Sequence, residues 1–343
     1  MKAVRFHEHG GTDKLVYEDC GDPKPGAGQA LIQVKAAALN RLDLWVRQGS
    51  PSYPVALPHI PGADIAGVVL EGDELGKLKP GDEVIVYPLV SCGQCQACTD
   101  GFENHCPSFK TLGGHLPGGY AQKVVVPSRN LVKKPAGLSW AQAAAFPVTY
   151  LTAWNMLAER AKLQKGETVL VLGASAGVSV AGIQIAQQLG ARVIAHTSSP
   201  EKAEALKALG VEMVLTCHPS ELSVKVLAAT GNQGVEVVFE HVGPATWQQS
   251  MQSVARHGRI VTCGATTGAE VSLILRQLFM RELTLLGAYM GSLAEFHRAH
   301  QLLSAGKLLP LVHKTWPLAE AAAAQEALLA HSHVGKLVLE VPA

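Results

Sequence analysis

Residues 168–190, TVLVLGASAGVSVAGIQIAQQLG, decide the fold. TVLVL is a short continuous apolar run, which reads as a strand buried on both faces. GASAG is a turn of small residues, and the stretch behind it reads as a helix up to Gly190. That order puts backbone N–H groups and a helix N-terminus where they can face a pyrophosphate. Gly173, Ala174, Ser175, Ala176, Gly177 and Val178 are the candidate contacts. The match to G-x-G-x-x-G is partial, because Ala174, Ala176 and Ser179 stand at the glycine positions. The same letters also spell G-x-S-x-G around Ser175, the nucleophile elbow of a hydrolase. That chemistry needs an acid and then a histidine downstream. No aspartate follows Asp100, so Glu240 and then His331 or His333 would have to serve.

The cycle of strand, turn and helix repeats outward through ARVIAHT, PEKAEALKALG, VEMVLT, VEVVFEHVG and GRIVTCG. Buried strands alternating with helices specify an α/β class with a doubly wound parallel sheet. Cofactor type is read at the end of the second strand, where an acid binds the ribose 2′-OH of NAD. Thr197 occupies that place, and the first carboxylate is Glu201. Ser198, Arg192 and Lys202, with His196 as a further contributor, are candidates for a 2′-phosphate. NADP(H) is therefore favoured over NAD(H).

Upstream the texture differs. QALIQVKAAAL, IAGVVLEG, GDEVIVYP and YAQKVVVP are strand-like runs set between Gly/Pro turns, an all-β pattern. At Ser139 it becomes Ala/Leu-rich, with Ser139 and Gln142 spaced as a helix-opening capping box and Pro147 dividing two helices. Beyond Gly287 two more helical stretches and a last strand, GKLVLEV, complete the chain. At 343 residues two domains are expected, and 48% hydrophobic with 17% charged residues describes a soluble globular protein. The net charge of +1 gives no reason to expect nucleic acid or an anionic membrane as partner. The N-terminus lacks a signal-peptide core and no apolar run spans a bilayer, so the expected location is cytoplasmic and the thiols reduced.

In that setting SCGQCQACTDGFENHC, residues 91–106, reads as a metal loop. Four thiolates from Cys92, Cys95, Cys98 and Cys106 close a tetrahedral site with no open position, the mark of a structural zinc. Unligated thiols and an iron–sulfur cluster are the alternatives, although the gap before Cys106 is too long for the short ferredoxin run.

PHIPGADIAGVV, the cysteine loop, GGYAQKVVVP, AAAFPVTYLTAW, VLGASAGVS, VFEHVG, GRIVTCG and HVGKLVLEV together resemble the medium-chain dehydrogenase/reductase superfamily over essentially the full length. The resemblance implies a GroES-like catalytic domain from residues 1–145 and 288–343, with a structural zinc loop at 91–107. It implies a Rossmann domain at 146–287, an active site in the cleft, and a homodimer or homotetramer acting on a small-molecule substrate. One structural zinc per chain is expected. Val242, Gly264 and Lys336 are further implied nucleotide contacts, with Gly264–Thr267 and Met290–Ser292 lining the nicotinamide pocket.

Zinc alcohol dehydrogenases of this superfamily hold a second, catalytic zinc. Its ligand positions fall here on Asn40, Ala63 and Val148, with Asp64 replacing a glutamate. An amide, a methyl and an isopropyl group cannot hold Zn²⁺. The chain is thus similar to the quinone oxidoreductase branch, which reduces quinones, enones and related activated carbonyls with NADPH. Asn40 would donate a hydrogen bond to the substrate oxygen, or simply cap a loop. Asp64 would orient Asn40 or a water, or act as a structural acceptor. Thr152 would contact the nicotinamide, and Tyr53, His59 or His115 would deliver a proton. Two other readings stay open: an alcohol dehydrogenase with zinc on unorthodox ligands such as His59, Asp64 and His115, and a nucleotide-binding protein with little turnover.

Overall fold

The computed structural model describes residues 1–72 and 78–342. Two units divide the chain, Met1–Val148 with Ser292–Ala343, and Thr149–Gly291. Both crossings fall a few residues later than the sequence placed them. At the first there is a local reason: the Val148 N–H is donated to Asp64 of the first unit, so the start of the helix Pro147–Trp154 belongs there.

The second unit is a six-stranded parallel sheet. Its order is Met213–Thr216, Arg192–Thr197, Thr168–Val171, Val235–Glu240, Val254–Thr262 and Thr284–Gly287. In chain order that is 3-2-1-4-5-6, the doubly wound arrangement in which ligands collect at the carboxyl ends of the strands where the order reverses. Leu170, Ile194, Val238 and Ile260 from the strands pack with Leu222, Trp247 and Met251 into its core. The reversal lies between Thr168–Val171 and Val235–Glu240, so the turns after Leu172 and after Glu240 face one another.

The first unit is built around one long strand, Gln29–Ala38. It pairs antiparallel with Asp64–Glu71, with Lys123–Pro127 and, through Ala36–Ala38, with Lys336–Glu340 from the far end of the chain. The sheet continues through Glu83–Val86 and Leu131–Lys133 on one side and Val312–Pro317 on the other. Ile32, Val34, Leu39, Ile65, Val84, Leu337 and Leu339 lie in its core, so residues 292–343 complete a hydrophobic layer that the first 148 leave open. Ser139 and Gln142 form the expected capping box on the helix Trp140–Ala144, and Pro147 opens the next helix. Among the described residues no helix is long and apolar enough to cross a membrane.

Candidate functional site

In the second unit the turn after the first strand meets the requirements of a phosphate cradle. Gly173 has φ +50°, and a Cβ there would press on His241 and Val242, 3.2–3.3 Å away. Ser175, Ala176, Gly177 and Val178 are half-buried and Ala174 is buried, with the helix Gly177–Gln188 starting directly behind them. Its first backbone N–H groups and positive dipole end suit an anion. Val242 and Gly264 are half-buried at the ends of the fourth and fifth strands. Ser179 sits at the last glycine position of the motif but does not mediate close packing. Its Oγ donates to the Leu172 carbonyl (2.9 Å) and lies 2.8 Å from His241 Nε2. Close helix–sheet contact falls instead at Gly182, where a Cβ would lie 3.0 Å from the Phe239 ring.

The hydrolase alternative fails on its acid. Glu240 is fully buried, and its carboxylate accepts from the Val242 and Gly243 N–H groups (2.6 and 3.0 Å), Thr246 Oγ1 and Ser250 Oγ. It holds its own loop and the following helix rather than a histidine.

At the second strand's end Thr197 is buried, and its hydroxyl accepts from the Ser199 N–H at 3.3 Å. Ser198 is exposed beside it, and Lys202 lies half-buried in the first turn of the helix Pro200–Ala208. Glu201 turns back, accepting from Ser199 Oγ. One expectation is corrected here. Arg192 opens the strand that Thr197 closes, roughly 16 Å away along an extended chain, so it cannot reach a 2′-phosphate there. His196 is buried and donates its Nε2–H to the Cys217 carbonyl (3.1 Å), inside the sheet's end. Thr152 is buried too, its Oγ1 3.8 Å from Met290 Sδ.

In the first unit, the three positions that the resemblance aligns with zinc ligands come together, but not as a free donor and a free carboxylate. Asn40 is the extended N-cap of the helix Arg41–Gln48, and its side chain is buried. Asn40 Nδ2 donates to Asp64 Oδ2 at 2.9 Å, and Oδ1 accepts from Lys336 Nζ at 2.7 Å. Lys336 also donates to Asp64 Oδ2 (2.9 Å) and to the Leu39 carbonyl. Asp64 Oδ1 takes the Val148 N–H at 2.7 Å. The ion pair is closed, with side chains 6% and 0% exposed. Lys336, expected against the nucleotide, is therefore corrected: all three of its protons are engaged within the first unit. A lysine opening a buried strand was the signal for this, because a buried ammonium requires a partner.

Beneath this triad lies a second buried carboxylate that sequence reading missed. Asp43 accepts from the Asn40 N–H (2.8 Å), Tyr120 Oη (3.0 Å) and the Gly62 N–H (3.2 Å). Burial pushes its carboxyl up to about 6, even though two of those donors favour the charged form. The spacing of Asn40 and Asp43, cap and third helical residue, could have announced it. The other two aligned positions are apolar: Ala63 is buried with Phe6, Leu42 and Val46, and Tyr53, Val55 and Val148 pack half-buried against them.

His59 is also corrected as a proton donor. It is buried against Phe6 and its Nε2 faces the Gly113 carbonyl at 3.2 Å. Burial holds its imidazole below the usual range, so it is neutral near pH 7. His115 accepts the Thr111 N–H at Nδ1 (3.1 Å), and its ring lies tilted at 51° to Tyr53 with centroids 5.2 Å apart. His59, Asp64 and His115 do not converge. Among the described residues, the cysteine loop is the one group of three or more His, Cys, Asp or Glu ligand atoms close enough to share an ion.

There the fit is good. Sγ–Sγ distances of 3.5 Å (Cys95–Cys98), 3.6 Å (Cys92–Cys106) and 3.9 Å (Cys92–Cys98) bracket the ~3.8 Å edge of a tetrahedron with zinc–sulfur bonds of about 2.3 Å. Backbone N–H groups of Gln94 and Cys95 hold the Cys92 thiol down to about 6, while, against the Cys98 N–H, burial and the neighbouring thiols push Cys95 up to about 11, so one proton leaves the quartet readily and the rest would leave to a metal. The loop is closed at its base by pairing of Leu89–Val90 with Lys110–Thr111. Glu103, between the third and fourth cysteines, accepts the Leu293 N–H at 3.1 Å, at the start of the helix Leu293–Ser304.

Known proteins share this architecture. The model of the alcohol dehydrogenase GroES-like domain matches residues 26–136, and that of the zinc-binding dehydrogenase matches 177–305. The zinc-type alcohol dehydrogenase-like protein of Schizosaccharomyces pombe is 31% identical, with 99% of each chain covered. Acryloyl-coenzyme A reductase of Metallosphaera sedula is 32% identical, again over 99% of each. A solved structure described as an NAD-dependent alcohol dehydrogenase superposes with TM-score 0.95 at 40% identity, covering 100% of both chains.

Proposed function

The chain belongs to the medium-chain dehydrogenase/reductase superfamily, and on that premise we propose that it reduces quinones, enones or related activated carbonyl compounds with NADPH, without a catalytic zinc. As a member it is an NAD(P)-dependent oxidoreductase; the finer assignment rests on the locus around Asn40. One observation carries it: Asn40, Asp64 and Lys336 are bonded to one another, while Ala63 and Val148, at the other two positions, carry only apolar side chains. A plain ketone or alcohol in such a site lacks the Lewis acid that supplies several kcal/mol of oxyanion stabilisation. A conjugated acceptor spreads the charge through its own π-system. NADPH, if held by the turn at 173–178, would supply the hydride. The acceptor takes the electron pair to its oxygen, and a solvent proton completes the reduction.

The residues at 173–178 fit the pyrophosphate, as Gly173 at positive φ and the helix start behind it support. Preference for the 2′-phosphate is supported by Thr197 in place of an acid, with Ser198 exposed and Lys202 nearby in sequence. Leu42, Tyr53, Val55 and Val148 supply an apolar wall suited to a neutral acceptor. The cysteines hold one zinc that stabilises the loop, since four thiolates leave no position for a substrate. Self-association is supported by the last strand, Thr284–Gly287, which has a single strand partner among the described residues. Exposed Leu275, Phe279 and Met280 lie just before it in the chain.

The test is a panel of quinones, enones, aldehydes and aliphatic alcohols with each nucleotide, run beside a zinc count by native mass spectrometry. NADPH-dependent reduction of the conjugated acceptors that survives dialysis against a chelator is expected. Brisk oxidation of plain alcohols together with two zincs per chain would overturn it.

A further inference from the structure

The Asn40 carboxamide is asymmetrically engaged, and the asymmetry has chemical content. Its orientation is fixed by its neighbours: only oxygen can face the Lys336 ammonium and only N–H can face the Asp64 carboxylate. One Nδ2 proton therefore goes to Asp64 at 2.9 Å. The nearest acceptor for the other is the Ala38 carbonyl at 3.5 Å, at the limit of hydrogen bonding. A carboxylate that accepts one amide proton pushes charge onto the nitrogen and weakens the remaining N–H as a donor. An ammonium on the amide oxygen draws charge the other way and strengthens it. Lys336 sits on that oxygen at 2.7 Å in a buried setting where such polarisation is not screened by water.

Resting on the reductase reading above, we propose that Lys336 is a positioning residue that polarises Asn40, making the second Nδ2–H the donor that meets charge developing on the acceptor oxygen. The cation acts through an amide, one group removed from the substrate, and simultaneously neutralises Asp64, whose bare charge would oppose an enolate. The triad thus supplies, in weaker form, the electrophilic pull that a metal supplies directly. An acceptor that needs more help from the site gains more from Lys336. Strongly electron-poor acceptors gain little.

That graded dependence separates polarisation from mere support of the fold. With NADPH and a series of 4-substituted benzylideneacetones, kcat is measured for the wild type, Lys336→Met and Lys336→Arg. Lys336→Met is expected to lower kcat roughly 10–100-fold for the donor-substituted members and far less for the nitro compound, so that the dependence on the substituent steepens. Lys336→Arg, which keeps the charge, is expected to restore most of the rate and the original slope. An equal loss across the series would overturn the proposal. A second readout needs no turnover: the Asn40 side-chain amide signals, assigned by their disappearance in Asn40→Asp, should shift upfield in nitrogen in Lys336→Met and hold in Lys336→Arg. Unmoved signals would overturn the proposal whatever the rates. A wild type that reduces none of the acceptors, with the signals shifting as expected, would defeat the reductase reading and leave the polarised amide standing.

Discussion

The cysteine loop and the Asn40 locus lie in the same unit, and each gathers electron-rich atoms around a point. In the loop, four sulfur atoms from a stretch of fifteen residues converge at tetrahedral spacing, and the neighbouring Arg129 guanidinium is bonded to Ser91 rather than to sulfur. At Asn40 the atoms come from distant segments, and one of those segments brings an ammonium with it. Local spacing alone can build the first. The second exists only once the sheet has formed. The difference teaches that positions without metal ligands need not form a hole: burial of Asp64 demands a positive charge, and a lysine two strands away, across Gln29–Ala38, meets the demand.

The largest effect should come from removing a loop ligand. Cys106→Ser, at the buried corner of the tetrahedron, is expected to drop zinc content from about one per chain to near zero in native mass spectrometry. Retention of full zinc would break the comparison at its first term. Lys336→Met should leave the zinc count alone yet lower unfolding free energy by about 3–5 kcal/mol, because it strands a buried carboxylate. A urea midpoint equal to the wild type's would mean that Asp64 is not held by charge.

Beneath the triad, Asp43 offers a pH test. Its acid is pushed up to about 6 in the folded chain, against about 3.9 when unfolded, so the folded state holds this proton more tightly. Its contribution is fully present below about pH 4 and is lost as pH rises through 6, the reverse of a salt-bridged carboxylate. The stability of the wild type relative to Asp43→Asn should therefore fall by about 3 kcal/mol from pH 3 to pH 8, about two thirds of it between pH 4 and pH 6. A flat difference across that range would show Asp43 ionised throughout. The smallest effect belongs to the tie between loop and helix. Glu103→Gln should weaken the bond to the Leu293 N–H by about 1 kcal/mol, seen as faster hydrogen exchange at the first turn of Leu293–Ser304. Unchanged exchange there would separate the loop from the helix it touches.

These contrasts also explain what could be read from the sequence. The doubly wound sheet was legible because buried parallel strands are continuous apolar runs, and GASAG marked a candidate cradle, although the same letters also spell a hydrolase elbow that only the engagement of Glu240 argues against. The thiol quartet was legible because all its ligands share one loop. Asn40, Ala63, Asp64 and Val148 were legible as positions, but not as a network. Lys336 lies 272 residues from Asp64 and 296 from Asn40, and no periodicity spans such distances. Arg192 misled because charge near a motif was read without strand direction: a strand has two ends, and only one faces the ligand.

Because Lys336 belongs to the strand that closes the first unit's sheet, a nascent chain acquires its parts in an awkward sequence. The uninterrupted stretch Thr149–Gly291 leaves the ribosome as a finished folding unit while the Ala36–Ala38 flank still has an open edge and Asp64 is still hydrated. Until Lys336–Glu340 emerges and docks, the first unit is an unsealed β-layer, the kind of surface that chaperones shield and aggregates recruit.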